Sequence, residues 1–115
     1  MPTIVNHTKT ALILHIEGNL ESESVAGFRA VMAGLPPGHN VVFDLQDIFF
    51  VDSTGLGALI GAIRRVRENG GDAVICRPRP SVRRALHLTA IDRSVRVVAH
   101  ITQAEAHFLA LGHAA

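Results

Sequence analysis

The chain has no tryptophan, no tyrosine and a single cysteine among its 115 residues. Each absence excludes something. Without tyrosine or tryptophan there are few rings to stack bases, which argues against a reader of single-stranded nucleic acid. One cysteine, Cys76, cannot form an internal disulfide, so a reduced, cytoplasmic protein is expected. No apolar run approaches the roughly 20 residues of a membrane helix, and the N-terminal MPTIVNHTKT lacks the charged-then-apolar layout of a signal peptide. Charge is nearly balanced, at +1 overall, so no global field points to nucleic acid. No linker, repeat or low-complexity tract interrupts the sequence, and residues 1–115 are expected to form one domain.

What is present is aliphatic: hydrophobic residues make up 48%, enough for a packed core at this length. Charge is unevenly spread. Residues 1–63 hold two basic and six acidic residues, whereas residues 64–96 hold nine arginines against three acids. Solvated helix faces account for such a stretch more simply than a nucleic-acid surface does.

Hydrophobic periodicity divides the chain into alternating elements. Strands are expected at 4–8 and 11–18. A helix at 22–34 puts Val25, Phe28, Val31 and Met32 on one side, and Pro36-Pro37-Gly38 breaks the chain after it. A strand at 40–46 precedes a helix at 53–69 with Leu56, Leu59, Ile60, Ile63 and Val66 at helical spacing, ended by Gly70-Gly71. A strand at 72–77, a helix from Pro80, a strand at 94–100 and a helix at 102–112 capped by Thr102 complete the pattern. The order β-β-α-β-α-β-α-β-α implies an α/β domain with a largely parallel sheet of about five strands, about four helices and one antiparallel strand.

The segment Phe49–Ala62, FFVDSTGLGALIGA, stands out. One N-cap residue suffices to start a helix, yet Asp52, Ser53 and Thr54 stand in a row. Gly57 and Gly61 follow inside the helix, each costing about 1 kcal/mol against alanine. With Ala58 and Ala62 they leave a bare flank for a close neighbour, either the domain's own sheet or a partner. Several chemistries fail here. Gly55-x-Gly57-x-x-x-Gly61 has one residue too many for a dinucleotide fingerprint, and it stands about eight residues beyond a strand ending at Gln46. Ser53 lacks the G-x-S-x-G elbow of hydrolases. Asp44 lies on a strand like the phosphoacceptor of a receiver domain, but no acidic pair follows the first strands to hold Mg²⁺. The seven histidines show no metal-ligand spacing, and neither a metal nor a cofactor is expected.

Residues 41–98, VVFDLQDIFFVDSTGLGALIGAIRRVRENGGDAVICRPRPSVRRALHLTAIDRSVRVV, resemble the STAS domain, and among its members the free-standing bacterial anti-sigma factor antagonists. The motif Asp-Ser-Thr-Gly-Leu-Gly opening a helix carries the likeness, with Gly-Gly and P-x-V-R-R downstream. The resemblance implies a mixed sheet with helices packed on it. It also implies a serine, here Ser53 (alternatively Thr54), phosphorylated by an anti-sigma factor with serine kinase activity and dephosphorylated by a phosphatase. A family stretch Gly-Glu-Leu-Asp near that serine reads Gly18-Asn19-Leu20-Glu21 here: Asn19 and Glu21 depart from it, though Glu21 keeps the charge. The implied protein is a non-enzymatic partner switch, monomeric or weakly dimeric, contacting neither nucleic acid nor membrane. Its partner surface would comprise Glu21, Asp52, Ser53, Thr54, Gly55, Leu56, Gly57, Ile60 and Gly61. A scaffold subunit of a stressosome-like or lipid-transport assembly, and more remotely a small serine hydrolase, are the alternatives.

Overall fold

A computed structural model describes residues 3–112. The ends of the expected domain, residues 1–2 and 113–115, lie outside the described residues. The strands are β1 (Thr3–His7), β2 (Leu12–Leu20), β3 (Val41–Val51), β4 (Ala73–Cys76) and β5 (Arg96–Val98). The helices are α1 (Val25–Gly34), α2 (Ser53–Glu68), α3 (Pro80–Leu88) and α4 (Ile101–Ala110), with a 3-10 turn at Ile91–Arg93. The strands form one sheet in the order β1-β2-β3-β4-β5. β1 pairs antiparallel with β2, and the other pairs are parallel. The expected α/β class, mixed sheet and element order are all present.

β3 is the axis. Five consecutive residues, Val41 to Leu45, are buried, because both faces of a parallel sheet are covered. The pleat sends alternate side chains to opposite layers. Phe43 and Leu45 join Leu14, Ile16 and Ile75 beneath α1, α2 and α3, which contribute Phe28, Leu59 and Leu86. Val42 joins Ile13, Val74 and Val98 beneath α4, which contributes Ala104 and Phe108. Cys76 lies in this second layer as a free thiol. Burial, reinforced by the Asp44 charge and opposed by Arg77, pushes its pKa up to about 11, so it is a packing residue and a poor nucleophile at neutral pH.

Several boundaries differ from expectation, each for a local reason. β2 and β3 continue to Leu20 and Val51, not to residues 18 and 46, through a ladder that shifts register between His15 and Glu17 and again between Gly18 and Asn19. Those irregularities leave Gln46 and Asp47 both exposed, then Phe49 and Phe50, which breaks the alternation that marks a strand in sequence. Residues 21–24 form a turn before α1, with Ser24 as its cap. β5 is three residues long because Ser94 and Val95 donate to the Ile91 carbonyl, while Ala99 and His100 donate to the Gln103 side chain. That places the N-cap of α4 at His100, not at the expected Thr102. Gly70 ends α2 as expected, at φ +91°.

Candidate functional site

The parallel strands deliver the starts of α1, α2 and α3 to the same end of the sheet. β3 leads into α2 with only Asp52 between them. The eight-residue spacing that argued against a nucleotide loop is therefore absent. Geometry replaces it. The Gly55 N–H that such a loop would offer a phosphate donates to Asp52 Oδ1 at 2.7 Å.

Asp52 is the N-cap of α2. Its second oxygen, Oδ2, accepts from the Ser22 backbone N–H at 3.1 Å and the Ser22 hydroxyl at 3.2 Å. Its own N–H donates to the Leu20 carbonyl at 3.2 Å. One carboxylate thus ties the turn after β2 to the first turn of α2. The Gly55 N–H foremost, and then Ser22, hold its pKa below the ordinary 3.8, because each donor favours the charged form.

With Asp52 capping the helix, Ser53 is released from that task. It is exposed at the first helical position, and among the described residues its hydroxyl has no hydrogen-bond partner. Thr54 beside it is exposed as well. Glu21 is half-buried, and its carbonyl accepts from Ser24 and Val25. Leu20 pairs with Val51, so Glu21 and Asp52 follow adjacent strand ends.

The glycines divide by role. A Cβ on Gly55 would stand 1.9 Å from the Leu20 carbonyl oxygen, so this glycine serves the domain's own sheet. At Gly57 and Gly61 a Cβ would meet nothing within 4 Å. Both are exposed, whereas Ala58 and Ala62 point inward. Leu56 packs against the core and Ile60 remains 39% exposed. At 100° per residue, Ser53, Gly57, Ile60 and Arg64 fall within about 60° of one another on the helix. The candidate residues therefore form two groups. Asp52, Gly55 and Leu56 build the loop and its seat, while Ser53, Gly57, Ile60 and Gly61 face outward.

Two features escaped the sequence reading. Phe49 and Phe50 are exposed by 59% and 51% just before the motif, and the Arg79 guanidinium covers the Phe49 ring at 3.9 Å. The doubled phenylalanine is visible in the sequence, but the expected strand stops at Gln46 and gives Phe49 and Phe50 no place in it. The other is the environment of Asp44. Its carboxylate is held by the Arg77 guanidinium, by His15 Nδ1 and by the Gln46 N–H. Both oxygens are occupied by these donors, and among the described residues no group of His, Cys, Asp and Glu could hold a metal ion. The His15–Asp44 pair also does not serve Ser53. Asp44 lies seven residues before the end of β3, roughly 20 Å of strand.

Comparisons with known proteins bear on the family and the fold. A curated relative from Paenibacillus polymyxa, an anti-sigma F factor antagonist, is 26% identical over 90 residues, covering 76% of this chain and 77% of the relative. A putative anti-sigma factor antagonist of Thermotoga maritima has a crystal structure that superposes with a TM-score of 0.81 at 22% identity, covering 92% of this chain and 93% of that one. The anti-sigma factor antagonist SpoIIAA, solved in unphosphorylated and phosphorylated forms, superposes at 0.70 and 0.65, with 19% and 18% identity, 90% of this chain, and 92% and 96% of the two solved chains. At such identities the superpositions establish the fold. The family profile of the STAS domain matches residues 2–104, and the chain belongs to that family.

Proposed function

We propose that this protein is an anti-sigma factor antagonist whose grip on its partner is switched by phosphorylation of Ser53. The observation that carries the reading is the division of labour at the start of α2. Asp52 caps the helix, and this leaves Ser53 exposed without a structural task, at the head of an outward stripe in which Gly57 is open and Ile60 is part-exposed among the described residues. The partner is an anti-sigma factor with serine kinase activity, which transfers the γ-phosphoryl group of ATP to Ser53 Oγ. A phosphatase restores the hydroxyl. The protein itself is no enzyme, and it acts in the cytoplasm.

The energetics suit a switch in binding. A helix N-terminus favours an added anion by roughly 0.3–1 kcal/mol, and the cap interactions do not involve the Ser53 hydroxyl, so the fold tolerates the phosphate. The interface does not. A phosphate adds about −1.5 to −2 charge beside Asp52 and Glu21, and a docked partner must desolvate it. A loss of about 2.8 kcal/mol corresponds to a hundredfold in affinity.

Incubation with the cognate anti-sigma factor and ATP, followed by peptide mapping, tests the assignment. Phosphate is expected on Ser53 and absent from Ser53→Ala, which should keep binding. Phosphate on Thr54 alone would move the switch by one residue. A chain that binds the partner but is never phosphorylated would favour a scaffold role instead. Turnover of simple esters that vanishes in Ser53→Ala would revive the hydrolase.

A further inference from the structure

We propose that the cleft between α2 and the 3-10 turn at Ile91–Arg93 is a binding site for a small amphipathic anion, a carboxylate carrying a medium-length alkyl chain. The cleft has a volume of about 420 Å³, within the usual range for small-molecule sites. Ile60, Ile63 and Ile91 give it an apolar lining, and Arg64 and Arg67 flank them. Ile63 and Ile91 are buried residues of the main core, so the apolar surface rests on rigid packing.

The two arginines differ in a way that suits an anion. Arg67 is anchored: its Nε donates to Asp72 Oδ1 at 3.2 Å and its Nη2 to the Ser94 carbonyl at 2.6 Å. A guanidinium has five N–H donors, so anchoring leaves others available from a fixed position. Arg64 stands three residues earlier on the same helix, is exposed, and among the described residues has no hydrogen-bond or ion-pair partner. Neighbouring cations at this spacing repel, and a carboxylate between them relieves the repulsion with charge-assisted hydrogen bonds. Glu68 also lines the cleft. With Asp72 already paired to Arg67, Arg64 is the cation at this cleft that lacks an ion-pair partner among the described residues, and Glu68 disfavours a dianion relative to a monocarboxylate. The alkyl chain then covers Ile60 and meets the outer edges of Ile63 and Ile91.

This assignment gives a role to part of the arginine-rich 64–96 stretch that the switch leaves unused. It needs no assumption about phosphorylation. One consequence rests on the proposed function: Ile60 belongs both to this cleft and to the outward stripe of α2, so a bound amphiphile would compete with the partner for that residue.

The test uses the isolated full chain with isoleucine methyl groups labelled for NMR, titrated with decanoate below its micelle concentration. Saturable shifts are expected at Ile60, Ile63 and Ile91. Decyltrimethylammonium should bind at least tenfold more weakly, and Arg64→Glu should weaken decanoate by at least tenfold. Absence of saturable shifts at these methyls would overturn the proposal, as would equal binding of the cationic amphiphile or unchanged affinity in Arg64→Glu. The comparison of anion with cation on the unaltered protein decides the matter even if the variant folds poorly. Because no partner is present, failure here leaves the switch at Ser53 untouched.

Discussion

Asp44 and Asp52 lie eight residues apart on one stretch of chain, one inside β3 and one just past its end, and their carboxylates are held in different ways. Asp44 is buried and is gripped chiefly by side chains, Arg77 from the end of β4 and His15 from β2. His15 in turn meets the Asn6 amide of β1 through Nε2 at 3.2 Å. This carboxylate fastens strands to one another. Asp52 is held by backbone N–H groups and by Ser22, and it fastens a turn to a helix start. The first site locks the sheet, and the second shapes a surface. An ion pair in the sheet leaves nothing free to react, whereas a carboxylate that takes over capping frees the hydroxyl beside it.

The comparison predicts an order of effects. Asp44→Ala should be the most damaging, at about 2–3 kcal/mol. That is below the 3–5 kcal/mol of a fully buried pair, because the Arg77 and His15 side chains are 34% and 28% exposed and can rehydrate. Its melting temperature should fall by roughly 10 °C. The ion-paired Asp44 has a folded pKa below 3.8: burial raises it, but the Arg77, Gln46 and His15 hydrogen bonds and the Arg77 charge together outweigh burial. A lowered folded pKa gives stability that is complete above the unfolded value and is lost as pH falls through the folded one. Acid melts of Asp44→Asn should therefore lose part of the wild type's destabilisation below pH 3.8. If the variant keeps the full acid dependence, the weight placed on this pair is misplaced.

Gly55→Ala comes next, because its methyl group would collide with the Leu20 carbonyl. A cost of about 1–3 kcal/mol is expected from forced backbone movement, readable as a lower denaturant midpoint. Asp52→Ala should cost less than Asp44→Ala and should loosen the Ser22 turn, seen as faster hydrogen exchange at the Ser22 and Gly55 amides. Loosening confined to α4 would contradict the staple. At Gly57 the sign reverses. Gly57→Ala should raise stability by up to about 1 kcal/mol while weakening partner binding, since the open flank is filled. A Gly57→Ala chain that binds normally would show that the partner does not lie along this flank.

Much of the fold was legible in the sequence where burial on both faces produces unbroken apolar runs, as at Val41–Phe43 and Ala73–Cys76. It was least legible where strands bulge. Gln46-Asp47 and Phe49-Phe50 defeat alternation, so β3 read five residues short. Sequence also could not say which polar residue caps α2, because that depends on Ser22, thirty residues away on another turn. The Asp44 network was hidden for the same reason: His15 and Arg77 meet it only once three strands are aligned. The bare flank read as one surface, but the helix turns Ala58 and Ala62 inward and leaves only Gly57 and Gly61 outside.

In the proposed switch the state of Ser53 is read by binding while the fold stays as it is. The direct measurement compares the unmodified chain with the chain phosphorylated on Ser53, by thermal melting and by titration against the anti-sigma factor. Melting temperatures within about 4–8 °C, the shift that 1 kcal/mol produces in a small domain, are expected together with at least a hundredfold loss of affinity. Equal affinity in the two states, or a phosphorylated chain that melts far below the unmodified one, would contradict it.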